Sequence, residues 1–124
     1  MKDEQGLRRA AYRRGRRAER LAAWWLRLKG YRILAAGWRS RLGEIDLVAM
    51  RGPTIAFVEV KRREEEPMAL QAVTLRQRER IARAARLYIQ KHPELAGHSF
   101  RFDALLLCRG RLPRHLPDAW RESS

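Results

Sequence analysis

Hydrophobic and polar positions along this chain follow two periods in turn. From about Arg9 to Lys29 apolar residues recur at helical spacing, at Ala18, Leu21, Ala22, Trp25 and Leu28, and Gly30 supplies a usual stop. Tyr31 to about Trp38 then reads as a strand. Two further strand-like runs, Glu44–Met50 and Thr54–Val60, flank Arg51, Gly52 and Pro53, a turn signal between β-rich segments. Both runs are apolar on both faces, which places them centrally in a sheet. A second helix spans about Thr74 to Lys91, before Pro93, with a stripe of Ile81, Ala84, Ala85 and Tyr88. Thr74-x-x-Gln77 has the spacing of a capping box. Phe100–Cys108 forms a fourth strand, and Leu112–Trp120 adds a short strand or edge cover anchored by Trp120. Residues 1–8 are polar and expected to fray, and the acidic run Glu64–Glu66 reads as a solvated loop. The order α-β-β-β-α-β predicts an α/β fold, a mixed central β-sheet flanked by helices. At 124 residues, the chain is expected to be one domain, residues 1–124.

The hairpin pattern has a chemical consequence. If Gly52 and Pro53 form a two-residue turn, facing residues have numbers that sum to 105. Arg51 then opposes Thr54, Asp46 opposes Glu59, and Glu44 opposes Lys61. A turn longer by one residue would break this register. Opposed side chains share a face with Cβ atoms roughly 5 Å apart. Two carboxylates that close repel, and one resists ionising unless a cation lies between them. Lys61 follows Glu59 by two residues, on the same face. Two acids and a lysine on an apolar hairpin suit a hard cation, Mg²⁺ or Mn²⁺, which can also accept phosphate and water. Glu44 either belongs with these groups or pairs with Lys61 or Arg63.

Two helix residues join this set. At ~100° per residue, Glu19 falls between Leu26 and Ala23, inside the apolar arc of the first helix. A carboxylate facing a core costs energy unless it is paired or near a metal, so Glu19 is near a metal, half of a buried ion pair, or at the flank of the arc. Gln77 points inward from the first turn of the second helix, as a cap or as a residue orienting water or phosphate. Asp103 and Arg101 share a face of the fourth strand and read as a structural pair.

Charge then narrows the partners. The formal net charge is +14 and the pI about 11.4, which points to a polyanion, with nucleic acid first and an anionic membrane surface second. Arg16 and Arg20 on the polar side of the first helix, Arg39 and Arg41 in the loop after the first strand, and Arg62 and Arg63 beyond the third strand are candidate phosphate contacts. Trp24 lies among the helix arginines, where it could stack on a base, enter a partner, or lie over arginine stems or under the first strand. Cys108 is the single cysteine, which excludes an internal disulfide and fits a reducing cytoplasm. No run approaches a membrane span. His92, His98 and His115 lack metal-binding spacing, so zinc is not expected.

Asp46 followed by Glu59-Val60-Lys61 resembles the PD-(D/E)xK nuclease superfamily, with Ile45 where the leading proline would stand. The ordered segments GRRAERLAAWWLRLKGYRIL, RLGEIDLVAM, FVEVKRR, FRFDALLL and LPRHLPDAW resemble the YraN family of small bacterial nuclease-like proteins over most of the chain from Gly15 on. That resemblance implies a restriction-endonuclease-like fold and metal-dependent hydrolysis of phosphodiesters. It places Glu19, Asp46, Glu59, Lys61 and Gln77 in the active site, with Asp46, Glu59, the Val60 carbonyl and Glu19 around Mg²⁺ or Mn²⁺. The superfamily resemblance includes Holliday-junction resolvases, implying branched or single-stranded DNA, recombination or repair, and a possible homodimer. The competing reading is a nuclease-like module that binds nucleic acid without cutting it. Binding to ribosomal RNA is a third, disfavoured because it has no need of opposed carboxylates.

Overall fold

The computed structural model describes residues 4–63 and 73–121. Helix α1 spans Glu4–Leu28. Strands β1 (Arg32–Ser40), β2 (Gly43–Arg51) and β3 (Thr54–Arg63) follow, then helix α2 (Leu75–Lys91), a short 3-10 turn (Pro93–Leu95), β4 (Ser99–Cys108) and β5 (Arg114–Trp120). The strands form one sheet in the order β1-β2-β3-β4-β5. The first three make an antiparallel meander, β3 pairs with β4 in parallel, and β5 returns antiparallel to β4. The parallel step requires a crossover, and α2 provides it. This is the mixed α/β architecture that the pattern predicts, with the tail as a fifth strand.

The helices lie on opposite faces of the sheet. On one face Ala22, Ala23 and Leu26 of α1 pack with Leu47, Ala49, Ala56, Val58, Leu105 and Leu107. On the other, Ala84, Ala85 and Tyr88 of α2 pack with Ile45, Val48, Ile55 and Phe57, and Ile81 with Leu106 and Trp120. Trp120 is buried, as an anchor must be. At the start of α2, the Thr74 side chain accepts from the Gln77 amide and the Gln77 side chain accepts from the Thr74 amide, a complete capping box.

Four expectations change. Helix α1 begins at Glu4, so residues 4–8 are helical rather than frayed, while residues 1–3 and the run Glu64–Glu66 fall outside the described residues. The α1 helix is rolled so that Ala22 and Leu26 meet the sheet, which leaves Leu21 and Leu28 on its exposed side. Trp24 is not covered by β1 and is 62% exposed. Strand β1 runs on to Ser40, so Arg39 is a strand residue opposite Glu44, and only Arg41 occupies the turn.

Asp103 is fully buried on β4. Arg101 grips it with two hydrogen bonds of 2.8 Å, and the Asp118 amide donates to it at 2.9 Å. Lys29 has only protons to give, so the His115 Nδ1 accepts from it and Nε2 donates to Asp103 at 2.7 Å. Arg101 also donates to the Tyr31 hydroxyl. The expected Arg101–Asp103 pair is thus the centre of a network that ties β5 and the C-terminal end of α1 to the sheet.

Candidate metal centre

The β2–β3 hairpin is paired from Arg51↔Thr54 to Leu47↔Val58, and every pair sums to 105. There the ladder stops. The Asp46 carboxylate takes the next amide instead, accepting from Val60 N–H at 2.8 Å. The strand's alternation breaks at the same point. Leu47 and Ala49 face α1, yet Ile45, two residues before Leu47, packs with the α2 side. From Asp46 back to Gly43, β2 follows β1 rather than β3: Trp38 faces Ile45, Arg39 faces Glu44, and Ser40 faces Gly43.

This divergence gathers the acids. Carboxylate oxygens of Glu19, Glu44 and Asp46 lie within 4.8 Å of one another. Glu19 comes from the core-facing side of α1, Glu44 and Asp46 from the start of β2. Glu44 does not oppose Lys61 as the extended register implied, because the ladder ends before reaching it. It lies instead 3.9 Å from Arg39. Glu59 remains beside Asp46, and the two carboxyl groups are hydrogen-bonded to each other. Lys61 Nζ is 3.3 Å from Glu59, and both side chains are nearly buried.

Gly37 makes the crowding possible. The β1–β2 register on either side of it, Ala36↔Leu47 and Trp38↔Ile45, sets Gly37 against Asp46. Its φ is +63°, a left-handed conformation that side chains disfavour. A Cβ there would lie 3.4 Å from Glu19 Oε2 and 3.4 Å from an Arg16 guanidinium nitrogen. Gly43, the first residue of β2, lies against α2, where a Cβ would come within 2.7 Å of the Arg80 side chain.

The electrostatics follow from burial and like charge. Burial, then Asp46 and Glu44, push Glu19 up to about 7, against the pull of Arg16 and Arg39. Burial and Asp46 push Glu59 up to about 8, although Lys61 opposes them. Asp46 is also raised, because burial outweighs the hydrogen bonds from Val60 and Glu59. Around neutral pH a proton is therefore retained between Glu59 and Asp46. Lys61, Arg16 and Arg39 do not offset the burial and crowding of these acids, and a divalent cation with oxygen ligands fits such a site. Glu19, Glu44 and Asp46 could bind a metal ion, with Glu59 adjoining.

The remaining sequence candidates are placed as follows. Val60 engages Asp46 through its amide. Gln77 spends its side chain on the α2 cap. Arg16, Arg20, Arg39, Arg41 and Arg62 are exposed, and Arg63 ends β3. The sequence reading missed Gly37, although a glycine within a strand pattern is a signal of close backbone approach. An open cavity of about 760 Å³ lies elsewhere, among Phe57, Ala85, Ile89, Phe102 and Trp120, and contains none of these candidates. Among the described residues, no helix is long and apolar enough to cross a membrane.

Comparison with known proteins finds relatives over most of the chain. Residues 18–107 match the family described as "Uncharacterised protein family UPF0102". A UPF0102 protein of Paramagnetospirillum magneticum is 55% identical over 116 residues, covering 90% of each chain. One of Rhizobium etli is 48% identical over 119 residues, covering 96% of this chain and 98% of its own.

Proposed function

The chain belongs to the uncharacterised protein family UPF0102, and from the geometry of its carboxylates we propose that it is a metal-dependent nuclease acting on DNA phosphodiester bonds. The observation that carries this reading is the approach of Glu19, Glu44 and Asp46 oxygens to within 4.8 Å in a partly buried site. Clustering acids costs energy, and a cation offsets it. The net charge of +14 and the exposed arginines around the site support a polyanionic substrate.

Glu19, Glu44 and Asp46 would hold Mg²⁺ or Mn²⁺, with Glu59 and the Val60 carbonyl as further ligands. Such a cation lowers the pKa of a bound water and balances charge growing on the phosphoryl oxygens. Lys61 favours the ionised form of Glu59 and presents a positive charge next to where the scissile phosphate would lie. Arg16 and Arg39, close enough to lower the Glu19 pKa, would meet the flanking phosphates. A cytoplasmic setting suits the free, buried thiol of Cys108. Branched or single-stranded DNA and a homodimer remain part of the proposal through the resemblance to junction resolvases and its motif Asp46, Glu59-Val60-Lys61.

The second reading, a module that binds DNA without cutting it, is favoured by the burial of Glu59 beside Asp46, which pushes its pKa up to about 8 and would weaken metal binding at neutral pH. Labelled single strands, flaps and four-way junctions, incubated with Mg²⁺, Mn²⁺ or EDTA, separate the two. Metal-dependent cutting lost in an Asp46→Ala/Glu59→Ala protein that still binds supports the nuclease. Binding without cutting by either protein supports the module.

A further inference from the structure

The sheet-facing side of α1 carries Glu19, and the opposite side carries three large apolar residues in water. Leu21 is 53% exposed, Trp24 62% and Leu28 72%. At ~100° per residue they fall within about 60° of each other, a contiguous strip one side chain wide. Exposing one large apolar residue is ordinary; exposing a tryptophan between two leucines on one helix face is not.

The residues between this strip and the acidic site decide what could cover it. Going round the helix from Glu19, Arg16, Arg27 and Arg20 come at roughly 60°, 80° and 100°, and Trp24 at about 140°. All three arginines are exposed, and Arg17 flanks Trp24 on its far side. Trp24 also lies about 7.5 Å further along the helix axis than Glu19. A ligand spanning from the carboxylates to the strip would therefore meet negative charge, then a band of guanidinium groups, then an aromatic face. A second copy of this chain would bring its own arginines against these and be repelled. A nucleic-acid strand has the matching order: phosphates for the arginine band, and a base with a π-face for Trp24. Bases in a duplex are already stacked and cannot offer that face, whereas unpaired bases can.

We infer that Trp24, with Leu21 and Leu28, is a stacking platform for an unpaired nucleotide, and that α1 guides single-stranded DNA, or the single-stranded end of a flap or fork, across Arg20 and Arg27 into the acidic site. This inference names the substrate class of the proposed nuclease and rests on that reading for its direction, though not for the binding itself.

Titrating the full-length protein in EDTA with a single-stranded thymidine oligonucleotide, and separately with a blunt duplex, tests it. Stacking quenches tryptophan emission, and of the four tryptophans Trp24 is exposed, Trp25 and Trp38 are half-buried and Trp120 is buried. Wild-type emission should fall on adding the single strand. Trp24→Phe should lose that quenching while keeping most of the affinity. Trp24→Ala should bind the single strand roughly tenfold more weakly and the duplex within about twofold of wild type. Thermal midpoints of both variants should stay near wild type, since so exposed a side chain contributes little to the core. Equal loss on both DNAs, or no loss on either, overturns the platform. So does a Trp24-dependent self-association, seen by sedimentation, with unchanged single-strand affinity. Trp24-dependent binding without any metal-dependent cutting leaves the platform standing and removes the nuclease. Asp46-dependent cutting with no Trp24 effect on single-strand affinity does the reverse.

Discussion

Gly37 faces Asp46 across the β1–β2 pair, and the Cβ it lacks would lie 3.4 Å from Glu19 Oε2. One missing methyl group on β1 thus leaves room for an α1 glutamate to approach a β2 aspartate. Replacing it tests whether the acids need that closeness. Gly37→Ala carries two costs: a φ of +63°, unfavourable by about 1–2 kcal/mol for a residue with a side chain, and displacement of Glu19 or Arg16. The expected outcome is a folded protein, lower in melting temperature, with several-fold weaker Mn²⁺ binding by calorimetry. Unchanged Mn²⁺ affinity would show that the acids do not need the space Gly37 leaves.

The ladder's end at Leu47↔Val58 yields a second expectation. It brings Glu44 to the cluster with Glu19 and Asp46 and keeps Glu59 with Lys61. Glu44→Gln should therefore weaken Mn²⁺ binding about as much as Glu19→Gln does. If Glu44 merely pairs with Arg39, an exposed contact at 3.9 Å worth little, Glu44→Gln will leave metal affinity unchanged. Measuring the two variants side by side at one pH decides between these roles.

The raised carboxylates also set a pH dependence. Glu19 and Glu59 titrate near 4.5 when unperturbed and at about 7 and about 8 in the fold. Below pH 4.5 they are protonated in both the folded and unfolded states and leave stability unaffected. Between 4.5 and about 8 the unfolded chain ionises while the fold holds its protons, so stability falls with rising pH and then levels. Glu59→Gln should flatten this slope, on the order of 1–3 kcal/mol between pH 5 and pH 8. Mn²⁺ should raise the melting temperature more at pH 8 than at pH 5, because it binds the ionised acids and the folded state alone. A metal-induced shift that is the same at both values would rule out these carboxylates as the site.

How much of this was legible in the sequence depended on range. The hairpin register followed from two turn residues, Gly52 and Pro53, and holds as far as Leu47 because nothing but alternation acts on it. The helix wheel put Glu19 on the sheet side of α1 for the same reason. Beyond Leu47 the local rule fails, because Asp46 takes the Val60 amide with its side chain and releases β2 to follow β1. No periodicity signals that exchange. The roll of α1 was equally hidden: a wide apolar arc including Leu21, Ala22, Trp25, Leu26 and Leu28 can meet a sheet at several angles. Small Ala22 and Ala23, which allow close approach, select the angle seen, and Leu21 and Leu28 are left outside.

The network around Asp103 gives the last expectation, one of stability without a part in the chemistry. Asp103 is fully buried, and burial alone would raise its pKa; hydrogen bonds from His115, Arg101 and the Asp118 amide outweigh this and hold it below the usual value. A depressed carboxylate stabilises the fold above its unfolded pKa, near 3.8, and that contribution is lost as pH falls through the folded value. Asp103→Ala removes the acceptor for Arg101 and His115 together and leaves a partly buried guanidinium with Tyr31 as its remaining acceptor among the described residues. Breaking such a buried pair costs about 3–5 kcal/mol, a large share of the ~5–15 kcal/mol that holds a domain of ordinary stability together. Asp103→Asn retains the shape and one acceptor oxygen and should cost less. Both variants should lose melting temperature in proportion, Ala more than Asn, with Mn²⁺ affinity unchanged for whatever fraction remains folded, because β4 and β5 carry none of the clustered acids. A selective loss of Mn²⁺ binding in Asp103→Asn at full stability would instead connect this network to the metal centre.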